Sequence, residues 1–464
     1  MFQHTSPMPQ VGTEPWSTRA HASRRRFAPF VWLRRSSVLA GFVALGTPGA
    51  AQVTSPTPRR LTLGELYAAA DRANPRLSAA KALVVAAEAR VPGTRRPPDP
   101  QVQLGFMNRS LPGLGPMDPL GMTQLQVMQM LPTAGKLRFA GAAADARVGG
   151  ARARAVELRW EVRSQVAAAF YEVYRTERSI DIAIRTRRLM EDVAATSEAM
   201  YRVGETAQAD VLKAQVEIGR MSEDITAMRA MRAMNLARLG GLLNQPVDST
   251  QEAMLPAFPD RLAPPDSLMA QAATGRPMVQ AGEADVAAAV ADAQLARREI
   301  WPDLQVGVQY GQRGGMGGVE RMGSLMLGAN VPIFAKSRQY RMRDETEAMR
   351  AMAAADLAAM KSDTRAQVGI AYAEWTRARN LRSLYLTSVL PQARAAVTAA
   401  VAAYRVGRVN LMTLLDNQTT VNRYEQELAA LDAAEGMALA DLEMLLGREL
   451  FDSNAGRATP GGNR

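Results

Sequence analysis

The sequence predicts a mainly helical protein with a small β part, built by tandem duplication of one unit of long coiled-coil helices. Three observations support this fold class. The stretch YRVGETAQADVLKAQ at residues 201–215 returns as YRVGRVNLMTLLDNQ at residues 404–418. Apolar residues recur at heptad spacing after both glycine turns, which favours coiled coils. Each half also carries two short runs in which apolar and polar residues alternate, as is typical of half-buried strands.

The duplication extends through the chain, because matching segments recur at an offset of about 200 residues, as internal repeats do. The matches keep their order: PDPQVQL (98–104) with PDLQVGV (302–308), LPTAGKLR (131–138) with VPIFAKSR (331–338), and VAAAFYEVYR (166–175) with VGIAYAEWTR (368–377). We therefore predict one repeat over residues 52–255 and a second over residues 266–450. PAFPDRLAPP, residues 256–265, is proline-rich and predicts a linker between them.

Both halves predict the same order of elements: a modest helix, two strands, one very long helix, the glycine turn and a returning helix. The sequence has no proline between Pro132 and Pro246. A helix over residues 139–202 alone would be roughly 95 Å long, which exceeds a globular core. Val211, Ile218 and Ile225 lie seven residues apart in the returning helix, with Ala214 and Met221 three places behind the first two. Leu414 and Val421 repeat the spacing in the second half, so we predict coiled packing along the long helix. Hairpin tips are predicted near residues 201–210 and 404–413.

The four alternating segments predict strands near residues 101–108, 123–131, 304–311 and 324–331. One face of each is apolar, and the other carries mainly Gln, Gly, Ser and Asn. Four strands are too few for a soluble sandwich, and membrane barrels need at least about eight. Identical neighbours could supply the rest, since a dimer would give eight strands and a trimer twelve.

The N-terminus predicts an export signal over residues 1–51. Arg34 and Arg35 precede the apolar run SSVLAGFVALGTPGA, which is too short for the alternative of a membrane-spanning helix. The chain has no cysteine, and its two histidines lie inside this segment. With the commonest general base and the strongest zinc ligands missing, we expect neither an enzyme nor a cofactor. The net charge of +11 on 464 residues does not indicate nucleic acid as a partner, and residues 451–464 predict a disordered tail.

Together these segments resemble the outer-membrane efflux protein family, the TolC-like channels. The resemblance runs from LTLGELYAAADRANPRLSAAKA at residue 61 to LEMLLG at residue 447, and its specific pieces are AYRVGRVNLMTLLDNQ, LPTAGKLR and PDLQVGVQY. It implies a homotrimer in outer-membrane lipid, in which four strands per subunit form one twelve-stranded barrel and the helices form a periplasmic α-barrel. It also implies a passive efflux conduit that meets a periplasmic adaptor and an inner-membrane pump of the RND or ABC type.

The same resemblance assigns roles to residues at the predicted tips. The docking turns for the adaptor would be Tyr201, Arg202, Val203 and Gly204 in the first half, and Tyr404, Arg405, Val406 and Gly407 in the second. The alternative is that these are turn residues with no partner. Asp416 matches an aspartate of the family's acidic constriction, while Thr413 stands where a second acid often lies. The alternative for Asp416 is a solvated charge near a helix start.

The substrate stays open between several readings. Thioethers suit Cu(I) and Ag(I), and PMDPLGMTQLQVMQMLPTAGK resembles the heavy-metal branch of the family. Transient soft-metal contacts would then be Met117, Met122, Met128 and Met130. Methionine also fills irregular cores, so a multidrug or type I secretion conduit is the alternative. A second alternative is a structural periplasmic coiled-coil adaptor.

Overall fold

The computed structural model describes residues 60–108, 110, 121–315 and 317–452. These residues belong to one compact unit, Pro56–Arg464. The predicted signal over residues 1–51, nearly all of the predicted tail over residues 451–464, and Met117 lie outside the described residues.

The two halves of the described chain repeat one order of elements, and the predicted mainly helical fold with few strands is confirmed. The first half contains β1 (Arg60–Leu61), α1 (Leu63–Ala73), α2 (Pro75–Thr94), β2 (Gln101–Met107), β3 (Met122–Leu131), α3 (Lys136–Arg202), α4 (Gln208–Leu243) and β4 (Glu252–Ala253). The second contains α5 (Pro265–Gly275), α6 (Pro277–Arg298), β5 (Asp303–Gly315), β6 (Gly318–Asn330), α7 (Gln339–Leu384), a π-helical turn (Tyr385–Val389), α8 (Leu390–Arg405) and α9 (Leu411–Leu446).

Proline and polar caps set where several helices begin. α2 opens at Pro75, whose missing N–H is no loss in the first turn, and the Asn74 side chain accepts a hydrogen bond of 2.8 Å from the N–H of Arg76. α6 also opens at a proline, Pro277, although the side chain before it, Arg276, does not cap the helix. Both short helices therefore start at matched positions of the repeat.

The helices pack in a series with α3 near its centre. α3 contacts α2 and α4 of its own half, and α6 and α9 of the second half. α6 and α9 in turn pack against α7, and α9 also packs against α8. The contacts thus run from α2 and α4, through α3, to α6 and α9, and end at α7 and α8. α3 has packing partners in both halves, and its Phe170 and Tyr171 lie in the main apolar core.

The returning helices bury residues at the predicted heptad positions. In α4 the buried side chains include Ala214, Met221 and Ile225, and in α9 they include Leu414 and Val421. No helix among the described residues is both long and apolar enough to cross a membrane.

A π-helical turn interrupts the second long helix. Pro391 has no N–H to donate to the carbonyl of Thr387, four residues earlier. Directly before it, the N–H of Leu390 donates to the carbonyl of Tyr385, five residues earlier, which is the π-type bond. The ring of Tyr385 packs edge-on against Tyr424 of α9 with 5.5 Å between ring centres, so the turn is anchored to the next helix.

Four of the described strands form one antiparallel sheet in the order β2-β3-β5-β6. Val127 of β3 lies opposite Val102 of β2 and opposite Val308 of β5, and Val308 in turn faces Leu325 of β6. Because directly opposite residues share a face, these apolar side chains form one continuous surface, and it is exposed. β2 and β6 are the edge strands of this sheet. β1 and β4 form a separate short parallel pair.

Candidate functional site

The two YRVG turns have the same backbone geometry. Gly204 and Gly407 have φ angles of 77° and 67°. Behind them, the N–H of Glu205 donates to the carbonyl of Met200, and that of Arg408 donates to the carbonyl of Ala403, both at 2.9 Å. This is the Schellman ending of a helix, which favours glycine. A Cβ at either glycine would meet nothing within 4 Å, so the backbone angle and not the space requires glycine.

The surfaces of the two tips differ. Tyr201 is 45% exposed, whereas Tyr404 is only 3% exposed, and its hydroxyl lies 2.6 Å from the Ser197 hydroxyl. Tyr404 therefore belongs to the apolar cluster that holds the tip together, next to Met190 and Leu414. Of the side chains predicted for docking, those of Tyr201, Arg202, Val203, Arg405 and Val406 are exposed.

The predicted gate residues lie on the first turns of α9. The Asn410 side-chain oxygen caps this helix, accepting hydrogen bonds from the N–H of Thr413 at 3.0 Å and from its hydroxyl at 2.8 Å. Thr413 is thus committed to the helix cap. Asp416 is exposed one turn further along the same helix, and its backbone carbonyl accepts a hydrogen bond of 2.9 Å from the Thr420 hydroxyl.

Sequence reasoning missed a carboxylate at the first tip. When the two YRVG segments are compared residue by residue, Asp210 stands where Thr413 stands, and Lys213 stands where Asp416 stands. The Asp210 carboxylate accepts a hydrogen bond of 2.8 Å from the Thr206 hydroxyl. The repeat itself was the signal that could have identified Asp210.

Polar contacts tie α9 to the two long helices between the tip and the main core. The Asn422 side-chain oxygen accepts from Thr186 of α3 at 2.7 Å and from Gln418 at 2.8 Å. Further along, Glu425 binds Arg185 of α3 at 2.9 Å and Arg394 of α8 at 2.5 Å. Such bonds between separate helices fix their relative position along the axis.

The next layer joins α9 to α3 and to α7 through Asp432 of α9. Its carboxylate accepts from Arg382 of α7 at 2.6 Å and from the hydroxyl of Tyr174 of α3 at 3.2 Å. Burial, followed by the charge of Asp432, raises the pKa of Tyr174, so its phenol keeps the proton that it donates. No local sequence pattern indicates these partners, because each lies more than forty positions from Asp432 along the chain.

The three described candidate metal-contact methionines, Met122, Met128 and Met130, lie on the polar face of the sheet. A Cβ at Gly307 would lie 3.2 Å from Met128 Cγ and 3.3 Å from Met326 Cε, so these two side chains meet over that glycine. Met122 covers Gly311 in the same way, with its Sδ 3.1 Å from such an atom. Met122 and Met128 are about 20 Å apart along an extended strand, so they cannot share one ion, whereas Met130 lies about 7 Å from Met128.

Metal ligands of other kinds do not reinforce these methionines. Within the described part of the chain, no group of three or more His, Cys, Asp or Glu side chains could hold a metal ion.

A sheet with exposed apolar side chains and open edges, continued by very long coiled helices, defines the class of outer-membrane channel subunits. A model of the family described as "Outer membrane efflux protein" matches residues 66–245 and 268–448. The chain belongs to this family, as the resemblance implied, and it is an outer-membrane protein extending into the periplasm. This replaces the alternative of a structural periplasmic coiled-coil adaptor.

Characterised relatives include two export and resistance proteins. The chain is 24% identical over 298 residues to the pyoverdine export outer membrane protein OpmQ of Pseudomonas putida, covering 61% of either chain. It therefore spans less than two thirds of that relative's length. It is 22% identical over 302 residues to the cobalt-zinc-cadmium resistance protein CzcC of Cupriavidus metallidurans, covering 64% of this chain and 70% of that protein.

Solved structures share the fold at low sequence identity. The outer-membrane protein VceC of Vibrio cholerae superimposes with a TM-score of 0.72 at 17% identity, covering 84% of this chain and 97% of VceC. For the outer-membrane channel OprN the TM-score is 0.71 at 19% identity, with coverage of 83% and 89%. For CusC, whose structures describe transmembrane channel formation, it is 0.70 at 19% identity, with coverage of 84% and 93%.

Proposed function

We propose that the chain is one subunit of a passive homotrimeric conduit in a tripartite efflux system. An inner-membrane pump of the RND or ABC type supplies the energy, a periplasmic adaptor links it to the conduit, and substrates leave through the outer membrane. The observation that supports this most strongly is that, among the described residues of one chain, the sheet ends in two open edge strands and the helical series ends in exposed apolar side chains.

The helical margins carry apolar side chains that water does not favour. Leu83 and Val85 of α2 and Val216 of α4 are exposed at one end of the series, and Met352 and Ile370 of α7 are exposed at the other. Exposed apolar side chains that line both ends of a packed series favour closure by further copies of the same series.

The sheet also ends in open edges, the strands β2 and β6. Its exposed apolar face is suited to contact with lipid. Val102, Leu104 and Leu327 are among the exposed side chains of that face. One chain supplies four strands of the sheet, so three chains would supply the twelve of a barrel wide enough for a lumen.

A size experiment tests this assembly. The purified protein in detergent is expected to migrate as a trimer on a gel without heating and as a monomer after boiling. A water-soluble monomer that persists without detergent would contradict the proposal, because its apolar sheet face would then be satisfied inside a single chain.

The tips are proposed as the docking surface and Asp416 as a gate residue. Three Asp416 carboxylates around a three-fold axis would attract cations and repel anions. We expect Asp416→Asn, which keeps the shape and removes the charge, to reduce the cation preference of single channels in planar bilayers, and Asp416→Ala to raise their conductance as well.

Asp356→Asn is the matched control for this gate experiment. Asp356 is an exposed carboxylate on α7, about 70 Å from the tip along the helix axis. Its neutralisation removes the same charge but should leave selectivity unchanged. Equal selectivity in the Asp416 variants and the wild type would remove Asp416 from the gate.

Metal cations are one proposed substrate class and organic solutes are the other. The methionines over Gly307 and Gly311 favour soft cations, and CzcC is named for cobalt, zinc and cadmium resistance. OpmQ, named for pyoverdine export, favours an organic solute, and a multidrug or type I secretion conduit belongs to the same alternative. Deleting the gene and measuring susceptibility to copper, silver and drugs separates the classes, since the pump determines which sensitivity appears.

A further inference from the structure

We propose that a second copy of this chain adds its β2 to β6 in one defined register, and that Lys336 of the first copy binds Asp99 of the second. The inference rests on the proposed trimer and adds to it the residues that meet.

The internal repeat determines which strands are equivalent. β3 and β6 both lead into matched segments, LPTAGKLR and VPIFAKSR, while β2 and β5 belong to the matched segments PDPQVQL and PDLQVGV. Within the chain, β3 pairs with β5. The equivalent of that pair is β6 with β2, and these are the two edge strands of the described sheet. The pairing of β6 with β2, which one chain cannot make with itself in this sheet, is therefore equivalent to the pairing of β3 with β5 that the chain already contains.

The register follows from the same matches. Val127 lies opposite Val308, and Leu125 lies opposite Tyr310. In the matched segments, Leu327 is equivalent to Val127 and Leu325 is equivalent to Leu125. Likewise, Leu104 is equivalent to Val308 and Phe106 is equivalent to Tyr310. Leu327 would thus face Leu104 of the second copy, and Leu325 would face Phe106.

This register agrees with the chemistry of both faces. Leu104, Phe106, Leu325 and Leu327 are all exposed members of the apolar face. On the polar face the same register sets Asn330 opposite Gln101, copying Met130 opposite Gln305. A slip by one residue would turn every apolar side chain of one strand to the polar face, so such registers are disfavoured.

The ion pair at the end of β3 and β5 also has an equivalent between two copies of the chain. Lys136 follows β3, its side chain is only 7% exposed, and its Nζ lies 2.9 Å from Asp303 Oδ1 and 3.3 Å from Glu299 Oε2. The same matches place Lys336 at the position of Lys136 and Asp99 at that of Asp303. Both are exposed within one chain, and they carry opposite charges.

The segment around Lys336 differs from its counterpart in its turn, where alanine replaces glycine, and in its exposed apolar side chains. Ala134 and Gly135 form a tight turn with φ angles of 55° and 75°, and α3 begins directly at Lys136. The equivalent residues Phe334 and Ala335 have no such turn, and α7 begins only at Gln339. Ile333 is 83% exposed and Phe334 is 76% exposed beside the edge strand, where a second copy would cover them.

Cysteine cross-linking tests the register directly, because the natural chain contains no cysteine. The variant Asn330→Cys with Gln101→Cys should link copies of the full chain in outer membranes after mild oxidation. Asn330→Cys with Gln103→Cys is the matched control, since it lies on the same face but two residues out of register, beyond the Cα separation that a disulfide tolerates. We expect at least about fivefold more cross-linked product for the first pair.

The possible results separate the register from the assembly. More product from the control pair, or no product in either pair while the heat-labile trimer persists, would overturn the register and leave the trimer standing. No product together with no trimer would overturn the proposed assembly itself.

A charge exchange tests the ion pair. Lys336→Glu and Asp99→Lys should each lower the temperature at which the trimer dissociates on a gel, and the double variant should recover most of the loss. The effect should be modest, because Arg95 stands at the position equivalent to Glu299. Lys336 would therefore have one carboxylate partner, whereas Lys136 has two. Additive losses in the double variant would overturn the ion pair.

Discussion

The two long helices of this chain descend from the same repeat, yet they occupy different environments. α3 is uninterrupted, and its buried residues continue from Lys136 to Met200. Its counterpart is divided into α7, the π-helical turn and α8, and α7 buries few residues, all between Thr364 and Ala378. α3 has packing partners from both halves, whereas α7 and α8 form the end of the series. The two helices therefore have similar sequences, and their positions in the helical series determine that α3 is central and that α7 and α8 lie at one end.

The largest expected difference lies between matched aromatic residues of the two helices. Phe170 of α3 is fully buried, and its counterpart Tyr372 of α7 is only partly buried beside Trp375. Phe170→Ala should cost about 3–5 kcal/mol of stability, and Tyr372→Ala clearly less. The apparent melting temperature by circular dichroism in detergent measures both. Equal losses would mean that α7 is as much a core helix as α3.

A smaller effect is expected at the two tips, where the halves agree. Gly204→Ala and Gly407→Ala should each cost about 1–2 kcal/mol, because alanine resists the left-handed backbone at both positions. Gly204→Asn and Gly407→Asn are the controls and should cost less, since asparagine tolerates that conformation. The same melting experiment applies. A large difference between the two alanine variants would show that the shared backbone geometry conceals unequal tips.

The smallest expected effect concerns the ends of the returning helices. Burial raises the pKa of Glu443 in α9 to about 7, although the N–H groups of Leu450 and Phe451 partly offset this. The equivalent position in α4 is Gly240, which has no side chain. Between about pH 4.5 and 7 the native state holds a proton that the unfolded chain has released, so this contribution to stability falls as the pH rises and is lost above about 7.

Glu443→Gln removes this dependence on pH. The variant should be more stable than the wild type at pH 8, by less than about 1 kcal/mol because its amide accepts hydrogen bonds less strongly than a carboxylate. At pH 5 the gain should disappear. Glu427→Gln removes an exposed carboxylate of the same helix and is the control, and melting curves at the two pH values give the comparison. An equal gain at both values would contradict a protonation effect.

Much of this architecture could be predicted from the sequence because it depends on local periodicity. Heptads predicted buried residues such as Ala214 and Val421, alternation predicted the apolar face that includes Val308, and the YRVG segments predicted the two hairpin tips. These patterns express the geometry of one helix or one strand, which the neighbouring residues in the chain determine.

The features that the sequence did not predict depend on which helices pack beside each other in the folded chain. Tyr201 and Tyr404 are the first residues of the same YRVG motif, but only Tyr404 packs against α3 from another helix and becomes buried. The partners of Asp432 come from two other helices, and no local pattern selects them. The π-helical turn could have been suspected from Pro391, since proline cannot continue the regular bonding of a long helix.

The pairing of β3 with β5 also has a consequence for the order of folding. These neighbouring strands are separated in the chain by all of α3, α4, α5 and α6. Closing so long a loop carries a large entropic cost, and contacts of this kind form slowly. We expect the helices to return the chain on itself first, so that the membrane-facing part of each subunit matures last, after the newly exported polypeptide has crossed the periplasm.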